Sequence, residues 1–241
     1  MFKNRKSLLK FFGITITSIL LITTFSSCFY MDILSAERFE AIDEEKINFI
    51  QLEKVKAGDE IGIITTSLGT FKIKLFTNES PNAVKNFKEL VSSGYYNGYK
   101  ISKISQNKAF ISTDSNGNGK SIFGEPFQNQ YSNNLWHFPG AVSSISDKEG
   151  YGDSRFLVVS NSTITEDIFG QMVQSNFPQK VIQKYRELGG APEYDRGCSI
   201  FAQVFDGMDI VNLITSKQTN SDGLLSEDLI INSITLATFE E

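Results

Sequence analysis

Apolar and polar residues alternate within the first third of the chain, and this pattern predicts a pair of β-strands. Glu60–Thr66 and Thr70–Phe76 are both rich in β-branched and aromatic residues, and only three residues (67–69) separate them. In the second segment the apolar side chains alternate with Lys72 and Lys74. A period of two is typical of a strand with one buried face, and the short connection favours a β-hairpin.

Two other segments have the spacing of amphipathic helices. The first opens at Ser80 and Pro81, because serine can cap a helix and proline suits its first turn. Gly94 ends it, and its apolar residues recur on one face: Val84, Phe87, Leu90 and Val91. The second predicted helix runs from Phe177 to Leu188 and ends at a glycine pair, 189–190.

Shorter segments elsewhere predict further strands between turn signals. The strand candidates are Phe156–Val159, Ser199–Val204 and Leu229–Ala237, and a helical turn is expected at Met208–Ile214. Pairs that end in glycine, such as Asn97-Gly98, mark the turns. Many short strands together with two well-separated helices favour a closed β-barrel, which leaves no exposed sheet edge.

The first 25 residues have the pattern of an export signal. Four basic residues and no acidic residue precede an apolar segment at 11–25. That segment is short for a membrane span, since a spanning helix needs about 20 apolar residues. The pattern therefore predicts a secretory signal peptide.

The segment Phe25-Ser26-Ser27-Cys28 resembles a bacterial lipobox, with phenylalanine where leucine is usual. A plain signal peptide, or an uncleaved anchor with a chance cysteine, is the alternative. We predict a lipoprotein signal at 1–27, a lipidated Cys28 followed by an acidic spacer over 28–57, and a folded domain at 58–241. Acyl chains on Cys28 would hold the protein at the outer face of a membrane.

Composition narrows the chemistry that the chain can carry. The 241 residues have a formal net charge of −5, which argues against nucleic-acid binding, because nucleic-acid-binding proteins present a basic face. Two cysteines and one histidine exclude a Cys₄ or Cys₂His₂ zinc site, and any Ser-His-Asp triad would have to use His137. If Cys28 carries lipid, Cys198 has no partner and no internal disulfide is expected.

The order of several motifs resembles that of the cyclophilin-type peptidyl-prolyl isomerases. The resemblance covers about Glu60 to Leu236 and rests on eight segments in the family's order: Leu68–Phe76, Ser80–Phe87, Gly94–Gly98, Gly119–Phe127, His137–Ser143, Ser154–Val158, Tyr185–Pro192 and Ile200–Val211. The last two are similar to the long-loop cyclophilins of Gram-positive bacteria. The resemblance implies a mainly β fold, a closed eight-stranded antiparallel barrel capped by two helices.

The resemblance also implies an active site that needs no metal, cofactor or nucleophile. Such a site combines an apolar pocket for the proline ring with a donor that weakens resonance at the prolyl nitrogen. In the family that donor is an arginine, and Lys103 stands at its position as the candidate catalytic residue. Lysine keeps the charge but lacks the planar fork of N–H donors, so Arg155 is an alternative donor from the opposite wall. The structural alternative for both is a solvated or surface-paired cation.

The family's pocket positions supply the other candidates. An ungapped match over 101–114 puts Lys108 at a pocket phenylalanine and Ile111 at a peptide-holding glutamine. A small shift would instead make Phe110 the pocket aromatic residue. Ser146 falls where the family's backbone binds substrate. Further substrate-binding candidates are Arg155, Leu157, Tyr194 and Cys198, and plain core packing is the alternative for the apolar ones.

Three functions remain open on the sequence. The main prediction is a surface-anchored isomerase that helps exported proteins to fold. The alternatives are a cyclophilin-fold module that binds peptides without catalysis, and a scaffold for a protein partner. The expected partners are proline-containing or unfolded exported polypeptides and, through Cys28, the membrane; we expect a monomer. A family tryptophan that lines the cyclosporin site is Glu193 here, which predicts weak binding of that drug.

Overall fold

Eight antiparallel strands of this protein close into a barrel. The computed structural model describes residues 42–105, 108–113 and 118–240. The strands in this part are β1 (Glu60–Thr66), β2 (Gly69–Leu75), β3 (Tyr99–Ser105), β4 (Ala109–Thr113), β5 (Phe127–Gln128), β6 (Ala141–Ser144), β7 (Tyr151–Gly152), β8 (Phe156–Val159), β9 (Ser199–Asp206) and β10 (Leu224–Thr238). The barrel order is β1-β10-β3-β4-β8-β6-β9-β2, and β5 pairs with β7 outside it. The predicted closed eight-stranded antiparallel barrel is confirmed.

Two helices pack against the barrel, and two others form a separate pair. The α-helices in the described ranges are α1 (Pro81–Ser92), α2 (Glu166–Gln174), α3 (Gln179–Leu188) and α4 (Met208–Thr215). Helix α1 packs on β9 and β10, α4 packs on β2 and β4, and α2 packs on α3. The helical turn predicted at 208–214 is therefore the second capping helix. Over the part of the chain that the structure describes, no helix has the length and apolar character to cross a membrane.

The start of α1 differs in one respect from the sequence prediction. Ser80 precedes the helix, and its carbonyl oxygen accepts the hydrogen bond of the Val84 N–H. The Ser80 side chain makes no capping bond, because its hydroxyl donates to the Ile200 carbonyl oxygen at 2.6 Å. The predicted side-chain cap is therefore wrong, and the hydroxyl ties the start of α1 to β9 instead.

Strands β4 and β8 are covered by apolar side chains on both faces. Phe110 and Phe156 point into the barrel core, whereas Ala109, Ile111 and Leu157 belong to a second apolar cluster. Successive strand residues face opposite sides, so the second cluster lies on the outer face of these strands. We call it the groove cluster; its buried members are Phe76, Ala109, Ile111, Leu135, Ala141, Ile145, Leu157, Val159, Ala191, Tyr194, Cys198 and Ile200.

The segment 42–52, here called the N-terminal strap, packs against the helical pair α2–α3. Ile47 is buried in a third apolar cluster with Trp136 and Tyr185. The Glu44 carboxylate accepts hydrogen bonds from the backbone N–H groups of residues 179 and 180, at 2.9 and 3.1 Å, and so caps α3. The sequence predicts that the folded domain begins at residue 58, but residues of the strap, before that position, already pack against the helical pair. Part of the predicted spacer is therefore folded onto the domain.

Gln51 joins the strap to the barrel through three buried hydrogen bonds. Its Nε2 donates to the Trp136 carbonyl oxygen at 2.8 Å and to Gln203 Oε1 at 2.9 Å. Its Oε1 accepts the Trp136 N–H at 2.6 Å. Gln203 in turn donates to the Pro139 carbonyl oxygen at 2.8 Å. The amide of Gln51 thus satisfies both backbone groups of a buried tryptophan.

We expect Gln51→Ala to lower the free energy of unfolding by about 1–3 kcal/mol, because it removes three buried hydrogen bonds between the strap and the barrel. Urea unfolding followed by tryptophan fluorescence measures the loss. Gln174→Ala, an exposed change at the end of α2, is the matched control and should have a near-neutral effect. Equal stability of Gln51→Ala and the control would contradict the role of the strap.

Candidate functional site

Lys103 lies in a row of side chains that crosses four neighbouring strands. It pairs with Leu224 of β10 on one side and with Ile111 of β4 on the other. Ile111 pairs in turn with Leu157 of β8. Residues directly opposite each other in antiparallel strands point to the same face. The side chain of Lys103 therefore projects from the same face as Ile111 of the groove cluster and the exposed Leu224.

A β-bulge at Ser102 turns Lys103 to this face. Ile101 pairs with Ser112 and Lys103 pairs with Ile111, so Ser102 is the extra residue. Ile101 and Ile104 both pack in the barrel core. Strict alternation would have placed Lys103 on the same side as Ile101. The extra residue resets the alternation, as bulges commonly do beside functional sites.

The structure brings four of the predicted site residues together. Ile111, Leu157, Tyr194 and Cys198 share the groove cluster and are 0–4% exposed. The Tyr194 hydroxyl donates to the Ser105 Oγ at 2.7 Å, which ties the loop after α3 to the end of β3. Burial raises the pKa of Tyr194, so the phenol remains a neutral donor. The cluster forms an apolar floor beside Lys103.

Phe110 does not reach this floor. It is fully buried on the opposite face of β4, where its ring packs edge-on against Phe71 at 6.2 Å between centroids. The shift that would have made Phe110 the pocket aromatic residue is therefore wrong. The strand keeps the register in which Ile111 faces the groove, because Phe110 pairs with Ile104 and both fill the barrel core.

Arg155 lies at the start of β8, and two carboxylates hold its guanidinium group. Its Nη2 is 2.6 Å from Asp153 Oδ2, and its Nη1 is 2.8 Å from Asp147 Oδ1. Burial alone would lower the pKa of Arg155, but the hydrogen bonds to Asp153 and Asp147 outweigh it and raise the pKa above its usual value. Arg155 is a permanent cation that pairs with both carboxylates, so a donor role in the groove would require it to leave them.

Ser146 follows β6 and lies at the edge of the same floor. The preceding residue, Ile145, belongs to the groove cluster and exchanges backbone hydrogen bonds with residues 153 and 155 at 3.0 Å. The Ser146 side chain is buried and its hydroxyl accepts the Lys148 N–H at 3.1 Å. Within the described ranges, no three His, Cys, Asp or Glu side chains are grouped to hold a metal ion.

Comparison with known proteins decides the family. The model of the cyclophilin-type peptidyl-prolyl cis-trans isomerase family matches residues 61–236, most of the chain and nearly the whole barrel. The protein belongs to the cyclophilin family. This membership supports isomerase activity, and the predicted resemblance is confirmed.

Relatives and solved structures agree with the family. A Staphylococcus saprophyticus protein that its name assigns to the peptidyl-prolyl cis-trans isomerases is 28% identical over 78% of this chain and 97% of its own. A similarly named Staphylococcus aureus protein is 27% identical with the same coverage. A Cryptosporidium parvum cyclophilin structure superposes with a TM-score of 0.60 at 21% identity, over 76% of this chain and 99% of that one. The same cyclophilin solved in the presence of the dipeptide Ala-Pro gives a TM-score of 0.58 at 22% identity, over 74% and 99%.

His137 lies in a buried hydrogen-bond network behind the wall of the cyclophilin pocket. Its Nδ1 is 2.7 Å from Asp195 Oδ1 and its Nε2 is 2.7 Å from Ser143 Oγ, an arrangement similar to a catalytic triad. All three side chains are buried, and His137 and Ser143 are completely inaccessible, so a substrate cannot reach the serine. The Tyr185 hydroxyl also donates to Asp195, at 2.6 Å. This network fixes the position of Asp195, directly after Tyr194, and with it one wall of the pocket.

An ion pair that the sequence did not predict lies beside the cyclophilin pocket. Lys108 Nζ lies 3.2 Å from Glu193 Oε1, and each side chain is 16% exposed. By the sequence match, Lys108 occupies the position of a family phenylalanine and Glu193 that of a family tryptophan. The presence of opposite charges at two positions that are aromatic in the family was the sequence signal for this ion pair. The pair replaces an aromatic border with a polar one.

Proposed function

We propose that this cyclophilin isomerises X-Pro bonds in exported polypeptides at the outer face of the membrane, with Lys103 as its electrophile. The observation that carries the proposal is the row across the barrel, in which Lys103 lies beside Ile111, and Ile111 lies beside Leu157. This arrangement gives one peptide both an apolar surface for its proline ring and a cation for its backbone. The family supports the reaction, and the export pattern of the first residues supports the location.

The chemistry needs little more than this juxtaposition. The barrier to X-Pro rotation, about 18–20 kcal/mol, comes from amide resonance that places electron density away from the nitrogen. A cation near the twisted amide favours a pyramidal, less conjugated nitrogen in the transition state. The groove cluster excludes water, which strengthens the field of the ammonium group. Lys103 would polarise, and Ile111, Leu157 and Tyr194 would hold the ring.

Exchange spectroscopy by NMR on an Ala-Pro peptide tests the proposal with the full chain in detergent micelles. Uncatalysed exchange takes tens to hundreds of seconds, so catalysis is visible as line broadening or exchange peaks. Acceleration by catalytic amounts of protein supports the isomerase. Unchanged exchange rates at equal protein and peptide concentrations would contradict it.

The near-complete burial of the pocket residues favours one alternative, a cyclophilin that binds peptide without turnover. Ile111, Leu157, Tyr194 and Cys198 are almost inaccessible in the structure, so a proline ring must displace neighbouring side chains to reach them. Lysine in place of arginine adds to this case, because it presents fewer fixed donors. Peptide-induced chemical-shift changes without accelerated exchange would favour the binding module.

The membrane part of the proposal rests on Cys28, which lies outside the described residues. We expect a fatty-acid label to be incorporated by a bacterial host that processes lipoproteins, and the protein to fractionate with membranes. Cys28→Ser should abolish the label and release the protein, because a lipid chain supplies most of the affinity of an anchored protein for the bilayer. Label retained in Cys28→Ser, or no label in the parent chain, would contradict the anchor.

A further inference from the structure

The Lys108–Glu193 pair joins the two walls of the groove cluster. Lys108 directly precedes Ala109 of β4, and its backbone carbonyl accepts both the N–H and the hydroxyl of Ser160, at 2.7 and 2.9 Å. Glu193 lies in the 3₁₀ helix Pro192–Tyr194, directly before Tyr194. Both backbones are therefore fixed, and the side chains meet across the edge of the apolar floor.

One atom of this pair lacks a partner. Glu193 Oε2 is inaccessible to solvent and accepts no hydrogen bond in the described part of the chain. Its sister oxygen Oε1 receives the single contact from Lys108. A buried carboxylate oxygen without a donor costs free energy, and a buried ion pair stabilises a fold only when its remaining lone pairs are satisfied. The edge of the pocket thus carries a hydrogen-bond acceptor that has no donor.

We propose that Glu193 is a specificity-determining residue that favours peptides with a basic side chain next to the proline. Because Oε2 is closed off in the structure, the Glu193 carboxylate must turn outward for a lysine or arginine of the peptide to supply the missing donor. The carboxylate would then bridge the peptide cation and Lys108. An acidic neighbour would instead face the carboxylate and compete with it for Lys108. The inference rests on the proposed function, because it assigns a preference to the same groove.

A charge series of blocked peptides tests the preference. In one series Lys, Gln or Glu replaces the alanine of an Ala-Pro peptide, and in the other it directly follows the proline. The kcat/KM of each peptide is measured by NMR exchange with the full chain. We expect the Lys peptide to exceed the Glu peptide by about fivefold in at least one series, the upper range for a partly exposed ion pair. Glu193→Gln should remove the preference, and the exchange Lys108→Glu with Glu193→Lys should reverse it.

Glu187→Gln is the matched control, because Glu187 forms an exposed pair with Lys184 on α3. This variant should keep the parent preference. A preference that is absent in the parent, or that persists in Glu193→Gln, would overturn the assignment. If no peptide is isomerised, the proposed function fails, and Kd values from chemical-shift titration decide the assignment: a Lys preference that depends on Glu193 supports it, and equal or undetectable binding overturns it.

Discussion

Lys103→Ala is expected to lower kcat/KM for an Ala-Pro peptide by about 10²-fold, while leaving the free energy of unfolding nearly unchanged. The magnitude is that of removing one preorganised donor from a catalytic site. The fold should tolerate the change, because Lys103 is half-buried on the outer face and the barrel core is filled by Ile101 and Ile104. Lys103→Arg should act in the opposite direction and raise kcat/KM, because a guanidinium group offers several N–H donors in one plane.

Lys100→Ala is the matched control for the Lys103 series. Lys100 lies on the same strand, pairs with Ile230 and is also half-buried. It stands about 10 Å along the strand from Lys103, beyond direct contact with the same peptide bond. Its kcat/KM should stay within about twofold of the parent. Equal rates for Lys103→Ala and the parent would assign the donor elsewhere, and Arg155 would be the next residue to test.

Asp195→Ala is expected to lower the free energy of unfolding by about 3–5 kcal/mol, since it breaks a buried hydrogen-bonded charge network. Its Oδ1 accepts both the backbone N–H of His137, at 2.9 Å, and the ring Nδ1 at 2.7 Å. Its Oδ2 accepts the Tyr185 hydroxyl at 2.6 Å. Urea unfolding of the parent and the variant measures the loss. Peptide binding should weaken as well, because Tyr194 loses the neighbour that fixes it.

Two further variants make the Asp195 prediction more specific. Tyr185→Phe removes one of the three hydrogen bonds and should cost about 1–2 kcal/mol, between the parent and Asp195→Ala. Asp206→Ala removes an exposed carboxylate that pairs with Lys72, and should cost no more than about 0.5 kcal/mol. Equal stability of Asp195→Ala and Asp206→Ala would mean that the buried network contributes nothing to the fold.

Period-two and helical patterns favoured a closed barrel, and the family resemblance supplied its eight antiparallel strands. Strands β1 and β8 have the predicted bounds, β2 is shifted by one residue at both ends, and α1 ends one residue before the position next to Gly94. These segments each have one buried face, or in β8 two, so their composition records their burial. The prediction of the site rested instead on family order. Four of its residues, Ile111, Leu157, Tyr194 and Cys198, share one cluster, and Lys103 pairs with Ile111, while their roles toward a peptide stay a prediction.

Local patterns could not predict features that depend on distant residues. Helix α2 was missed because its short sequence includes Gly170 and carries only two fully buried side chains, Phe169 and Met172. The strap has the sequence of a spacer because its packing depends on distant residues. Ile47 packs in the cluster of the helical pair, and the partners of Gln51 lie 85 and 152 positions away. The bulge at Ser102 has no sequence pattern that predicts it, because Ser102 is simply a polar residue at a half-buried strand position.

If Cys28 carries the proposed lipid, the docked strap limits how far the groove can lie from the membrane. Ile42 already packs against the third apolar cluster, so the chain from Cys28 to the strap is residues 28–41. Even when fully extended, that length reaches on the order of 50 Å. A lipid-anchored enzyme would then stay within about that distance of the bilayer. Its effective concentration toward exported chains would depend on the length of this connecting segment rather than on the amount of enzyme in the cell.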